Sequence, residues 1–185
     1  MRVFRIFSYR EDAAVGEPGH PAFIDRMHQG SGRWDNPASY ATGYFSQTAE
    51  GAVSEVYGGF AVWRPVLFTD DPRDRRLGAF ELPDSLRLAD FDDPRVLSDF
   101  DVRVSEVTAR DPRRTQAIAA AVHDADFDGI SWGSHYHPSL MNLAVFEPAE
   151  HGLRCTAIEK LDIDHAAVSA AAGLIVRHID RRPPA

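Results

Sequence analysis

The chain has 185 residues, 44% of them hydrophobic and 26% charged, with a formal net charge of −8. That is the length of one domain with a substantial core and the composition of an ordinary globular protein. The acidic balance argues against a general nucleic-acid or membrane-surface binder, and no apolar run approaches the ~20 residues needed to cross a bilayer.

The first residues, "MRVFRIFSYRED", alternate apolar side chains with Arg and Ser. They predict an opening strand over "RVFRIF" and lack the continuous apolar segment of a signal peptide, so a cytoplasmic location is expected. "SYREDAAVGEPGHPAF" then collects Gly, Pro and charge and reads as loop. A short strand is expected at Gly43 to Ser46 after the "DNPASYATG" turn region.

From Thr48 the period changes. Ala49, Ala52, Val53 and Val56 share one face of a helix, with Ser46 or Thr48 as its cap and Gly58-Gly59 as its stop. Glu55 falls at the edge of that apolar stripe, where a side chain can face either solvent or a cleft. "FAVWRPVLF" suggests a strand broken by Pro65, and "TDDPRDRRLGAFELPDSL" reads as charged and turn-rich. "LRLADF" suggests a strand, whereas "DDPRVL" and "SDFDVRVSEV" show no clear period. "RDPRRTQAIAAAVHDADF" predicts a helix with Asp111 as N-cap and Pro112 in first position. "DGISW", "NLAVFE" and "CTAIEKLDI" are expected strands, and "DHAAVSAAAGLIVRHI" an alanine-rich terminal helix. No fixed-period repeat appears. The expected fold is α+β, a single domain over residues 1–180 with mixed or antiparallel sheets and flanking helices, then a disordered tail at 181–185.

Cys155 is the single cysteine, so no intramolecular disulfide and no cysteine-based metal site is expected. The 20 basic residues comprise one lysine, Lys160, and otherwise arginine, which lowers the information carried by any one arginine.

Several residue types have chemical potential. "GSGRW" places Arg33 beside glycines, where backbone can approach a ligand and a guanidinium can fork onto phosphate or carboxylate oxygens. Arginines beside glycine turns are also common on inert surfaces. Tyr44 can stack on a flat ring or sugar, or fill the core. Glu55 can face a cleft, or simply be solvated. "SHYHP" sets His135 and His137 two apart, which on a strand suits a metal pair or an acid/base pair, but no third ligand is evident and "YHPS" looks like a turn. "SWGSH" lacks the Gly-x-Ser-x-Gly of a nucleophile elbow, so Ser134 has no triad signature.

Taken together, "GRWDNP", "GYFS", "AVSE", "DGISWGS" and "LAVFE" occur in an order that resembles the RES-domain family, named for an Arg, a Glu and a Ser in sequence. The resemblance spans roughly residues 3 to 147. It departs from the family pattern at Asp35, which separates Trp34 from Asn36-Pro37, and in the long "EDAAVGEPGHPAFIDRMHQGS" lead-in. The resemblance implies an ADP-ribosyltransferase-like fold and an NAD-consuming enzyme, a phosphorylase or glycohydrolase, commonly the toxin of a toxin–antitoxin pair. On that basis Glu55, Arg33 and Tyr44 are the expected catalytic residues, and Arg5, Arg33, Trp34, Tyr44 and Ser134 the expected NAD contacts. NAD enters as substrate, with inorganic phosphate as a candidate co-substrate and no resident cofactor or metal. A cognate antitoxin is the implied protein partner, and self-association stays open. The alternatives are a non-catalytic nucleotide- or protein-binding module and a protein ADP-ribosyltransferase.

Overall fold

The computed structural model describes residues 1–69, 74–107, 111–147 and 152–182. In chain order the elements are strand β1 (Arg2–Ser8), a 3-10 turn at Arg26–His28, β2 (Thr42–Ser46), helix α1 (Ala49–Tyr57), β3 (Val62–Trp63) and α2 (Val66–Thr69). Then follow β4 (Arg75–Glu81), β5 (Leu88–Asp90), α3 (Pro94–Asp99), α4 (Val104–Val107) and α5 (Pro112–Asp124). The chain closes with β6 (Gly129–Gly133), β7 (Met141–Phe146), β8 (Arg154–Lys160), α6 (Ala166–Leu174) and β9 (His178–Ile179).

Seven strands form one mixed sheet in the order β5-β6-β7-β2-β1-β4-β8, and β3 pairs with β9 in a small second sheet. Only β5 and β6 run parallel in the large sheet; its other neighbours are antiparallel. This is the expected α+β architecture of mixed sheet and flanking helices. No helix among the described residues is long and apolar enough to cross a membrane.

The helices form where local chemistry predicts. Thr48 caps α1 by accepting a hydrogen bond from the Gly51 amide, and Asp111 caps α5 with Pro112 just inside. The unassigned "DDPRVL" repeats the second device, with Asp93 as cap and Pro94 opening α3. Helix α6 stops earlier than its alanine-rich pattern suggests. Val176 adopts a left-handed φ of 54°, and the Arg177 amide reaches back to the Ala172 carbonyl, a Schellman closure with valine where glycine is usual.

The stretch "TDDPRDRRLGAFELPDSL" is corrected by β4, a strand paired on both sides, with β1 and β8. Its apolar run is short and flanked by charge, so no alternation is visible. Gly78 is there for packing: a Cβ would come within 2.5 Å of the Phe80 ring and 2.7 Å of Phe7. Residues 70–73 of that stretch lie outside the described residues. So do 183–185 of the expected tail, whereas Arg181 and Arg182 are ion-paired with Asp164 and Asp180.

Among the described residues, three buried clusters pack on the sheet. One gathers Trp34, Phe91, Trp132 and Phe146 with α5. A second packs α1 and α6 around Val53, Trp63 and Leu77. The third joins Val3, Phe45, Phe80 and Leu143.

At the centre of the sheet, β1 and β2 share a single register pair, Phe4 with Ser46. Beyond it a cavity of about 640 Å³ opens, lined by residues of both strands. The long lead-in loop supplies its other wall through residues that include Pro18, His20, Phe23 and Ile24.

Candidate active site

Helix α1 carries Glu55 to this cavity, so the edge position read from its period faces a cleft. The carboxylate is held from behind. Ser134, just past β6, donates its hydroxyl to Glu55 Oε1 at 2.7 Å. Asn142, in β7, donates Nδ2 to the same oxygen at 2.6 Å. Ser46 fixes the amide by donating to Asn142 Oδ1 at 2.7 Å. The two bonds that end on the Glu55 carboxylate are of the stronger, charge-assisted kind. Glu55 Oε2 accepts none from the described residues and stays available to a ligand.

Asn142 is a site residue that the sequence reading missed. It is 3% exposed, and a buried amide requires partners. The available signal was a polar residue opening the apolar run "NLAVFE".

The glycine turn before Arg33 is built around Asp35. Asp35 is 4% exposed, and its carboxylate accepts from the amides of Gly30 at 2.8 Å and Gly32 at 2.7 Å. A Cβ on Gly32 would sit 2.6 Å from both carboxylate oxygens, so only glycine admits this approach. Gln116 of α5 holds the other side, donating to the carbonyls of Gly30 and Gly32. Asp35 therefore organises the turn rather than interrupting it.

Tyr44 lines the cavity, but its hydroxyl is fully engaged. It accepts from the Trp34 amide at 2.9 Å and donates to Asp35 at 2.8 Å. Burial, followed by the charge and hydrogen bond of Asp35, pushes its pKa far above the usual phenol value. The ring, not the hydroxyl, is what Tyr44 offers a ligand.

Arg33 is half-buried, and burial lowers its pKa, opposed by the nearby Glu55 and Tyr44. One of its nitrogens donates to the Val107 carbonyl at 2.7 Å. Arg33 and Ser134 are not in the cavity wall, although both are coupled to Glu55, the first by charge and the second by a hydrogen bond.

Two expected contacts change meaning. Trp34 is 0% exposed and packs edge-on against Phe91 and Trp132. Its indole is part of the core and is not in the cavity wall, against the expectation of an NAD contact. Arg5 does line the cavity, but it donates to the carbonyls of Pro21 at 2.7 Å and Phe23 at 3.0 Å. It thereby ties the lead-in loop to β1, with its guanidinium over the Phe7, Phe45 and Phe80 rings.

The His135–His137 pair does not converge. The His135 ring lies against Tyr136, tilted by 38°, while His137 Nδ1 bonds within its own turn to Ser139. Among the described residues no group of three or more His, Cys, Asp or Glu side chains is placed to hold a metal. Burial raises the pKa of the half-buried Cys155 thiol, which disfavours a thiolate nucleophile.

The RES domain family matches the chain over residues 2–164. The protein belongs to that family. In overall fold it is similar to a chain of the crystal structure of the M. tuberculosis MbcT–MbcA toxin–antitoxin complex, with a TM-score of 0.61 and 17% sequence identity, covering 95% of this chain and 88% of that one. No curated protein matches it significantly in sequence.

Proposed function

We propose that the chain consumes NAD by cleaving the bond between nicotinamide and ribose. The observation that carries this reading is the half-committed carboxylate of Glu55. Its Oε1 is fixed by Ser134 and Asn142 while Oε2 accepts nothing from the described residues, beside a cavity of about 640 Å³, within the size range of ligand pockets.

The chemistry suits that arrangement. Nicotinamide leaves as a neutral molecule, because the electron pair of the breaking C1′–N bond neutralises the pyridinium nitrogen. No general acid is needed. The developing charge lies on the oxocarbenium-like ribose, and a pre-oriented carboxylate stabilises it without reorganising. In this reading Oε2 of Glu55 accepts from a ribose hydroxyl, the Tyr44 ring packs on nicotinamide or its ribose, and Arg33 adds positive charge for the diphosphate or an incoming phosphate.

The fold it shares with a chain of a toxin–antitoxin complex supports a toxin role with a cognate antitoxin as partner. A binding module without turnover is favoured by one observation: Arg5 and Arg33 both donate to protein carbonyls.

The test is incubation of purified protein with NAD, with and without phosphate, and chromatographic separation of the nucleotides. Released nicotinamide is the expected result. Intact NAD under both conditions, with folding verified, removes the enzymatic reading, and NAD or ADP-ribose binding in that case selects the module. Labelled NAD in a cell extract reads out transfer to protein.

A further inference from the structure

The lead-in loop carries two histidines into the same cavity wall as Glu55, His20 and His28, and they differ in what they can do. His20 Nδ1 accepts the Ala22 amide at 3.2 Å, so in the neutral ring its proton sits on Nε2, leaving no free lone pair. His28 is the reverse. Its Nδ1 lies 2.9 and 2.8 Å from the two carboxylate oxygens of Asp25. A carboxylate only accepts, so Nδ1 carries a proton, and in the neutral ring the Nε2 lone pair has no partner among the described residues. Asp25 lines the cavity as well.

The turn that bears the pair is anchored on both sides. On one side Arg26 donates Nε to the Pro37 carbonyl at 2.8 Å and a terminal nitrogen to Glu147 at 2.9 Å. On the other, Gln29 grips the Thr42 backbone twice, donating to its carbonyl at 2.7 Å and accepting its amide at 2.9 Å. The 3-10 turn bearing His28 is thus pinned to β2, the strand that carries Tyr44.

A histidine in the wall of a binding cavity, with its Nδ1 proton held by a carboxylate, has the arrangement of a general base. Resting on the NAD-splitting reading above, we propose that the His28–Asp25 pair activates water as the acceptor. As the C1′–N bond breaks and its electron pair passes to nicotinamide, a water oxygen forms the new bond to C1′. The water gives its proton to His28 Nε2, and the imidazolium formed is stabilised by Asp25 before releasing the proton to solvent. Glu55, already committed to Ser134 and Asn142, remains the ribose-facing carboxylate. The products are nicotinamide and ADP-ribose. A phosphate dianion needs no such base, so the pair marks the site for hydrolysis.

The test uses His28→Ala, whose side chain is 81% exposed in the parent and whose loss leaves no core cavity. In phosphate-free buffer the variant is expected to lose more than tenfold in kcat for ADP-ribose formation, with KM within about threefold. Added imidazole should restore part of the rate, which repair of a merely structural defect would not do. Asp25→Asn is expected to fall in the same direction by less. Unchanged kcat in His28→Ala, or a loss that imidazole does not restore, overturns the proposal. A parent protein that consumes NAD only when phosphate is present overturns it too, while leaving the NAD-splitting reading intact. A parent protein that leaves NAD intact under all conditions defeats that reading, and this one with it.

Discussion

Asp35 and Tyr44 are joined by a 2.8 Å hydrogen bond from phenol to carboxylate, and this contact links the glycine turn before Arg33 to the strand that floors the cavity. The residue that departs from the family pattern is therefore the one that seats the turn. Without it, the amides of Gly30 and Gly32 and the Tyr44 hydroxyl would lose their shared acceptor.

Asp35→Ala should be expensive for that reason. Leaving buried donors unsatisfied costs about 1–3 kcal/mol each, so a loss of at least about 2 kcal/mol is expected in urea denaturation. Tyr44→Phe removes one of those bonds and should lose about 1 kcal/mol. A double-mutant cycle between the two should show coupling; strict additivity would mean the hydrogen bond contributes nothing.

Glu55→Gln keeps an oxygen for Ser134 and Asn142 but removes the charge facing the ribose. It should fold normally and lose more than tenfold in NAD turnover, or ~1.4 kcal/mol in the barrier. Arg33→Ala is expected to lose a similar factor. Asn142→Ala should lower turnover less, through a loosened Glu55. Wild-type rates in any of the three would take that residue out of the mechanism.

Trp34 makes the opposite prediction from a ligand contact. Trp34→Ala should destabilise by about 3–5 kcal/mol through the cavity it leaves. The milder Trp34→Phe, where folded, should keep KM for NAD within about twofold. A selective rise in KM without loss of stability would show that the indole does reach the ligand.

Alkaline titration should resolve the tyrosines. Burial raises the Tyr40 phenol to about 12, and Tyr44 is raised as well. A group whose folded pKa is raised adds stability that is complete below its unfolded value, near 10 for a phenol. That stability is lost as pH climbs through the folded value. Tyrosinate absorbance should therefore lag at pH ~10–11 and appear together with unfolding. Early ionisation of all tyrosines in the folded protein would contradict the burial.

Much of this protein was legible in sequence because its signals are local. Capping residues and periodicity located α1 and α5, and the apolar runs located β6 and β7. The order of Arg33, Tyr44, Glu55 and Ser134 pointed to the family, and Glu55 and Ser134 do meet at 2.7 Å across 79 residues. Strand β4 was hidden because its pairing with β1 and β8, rather than alternation, makes it a strand.

What tertiary structure decided was the use of each side chain. An indole, a guanidinium and a phenol carry the same chemical potential in any sequence, but partners distant in the chain commit them. Packing against Phe91 and Trp132 turned Trp34 into core, and the Pro21 and Phe23 carbonyls turned Arg5 into a loop tether. Asn142 became the anchor of Glu55 because β7 lies beside β2, next to the helix that follows it. Sequence determined which groups are present and where helices begin. Only the closing of the sheet determined which of their donors and acceptors remain for a ligand, because each buried polar group must first be satisfied by whatever the fold brings beside it.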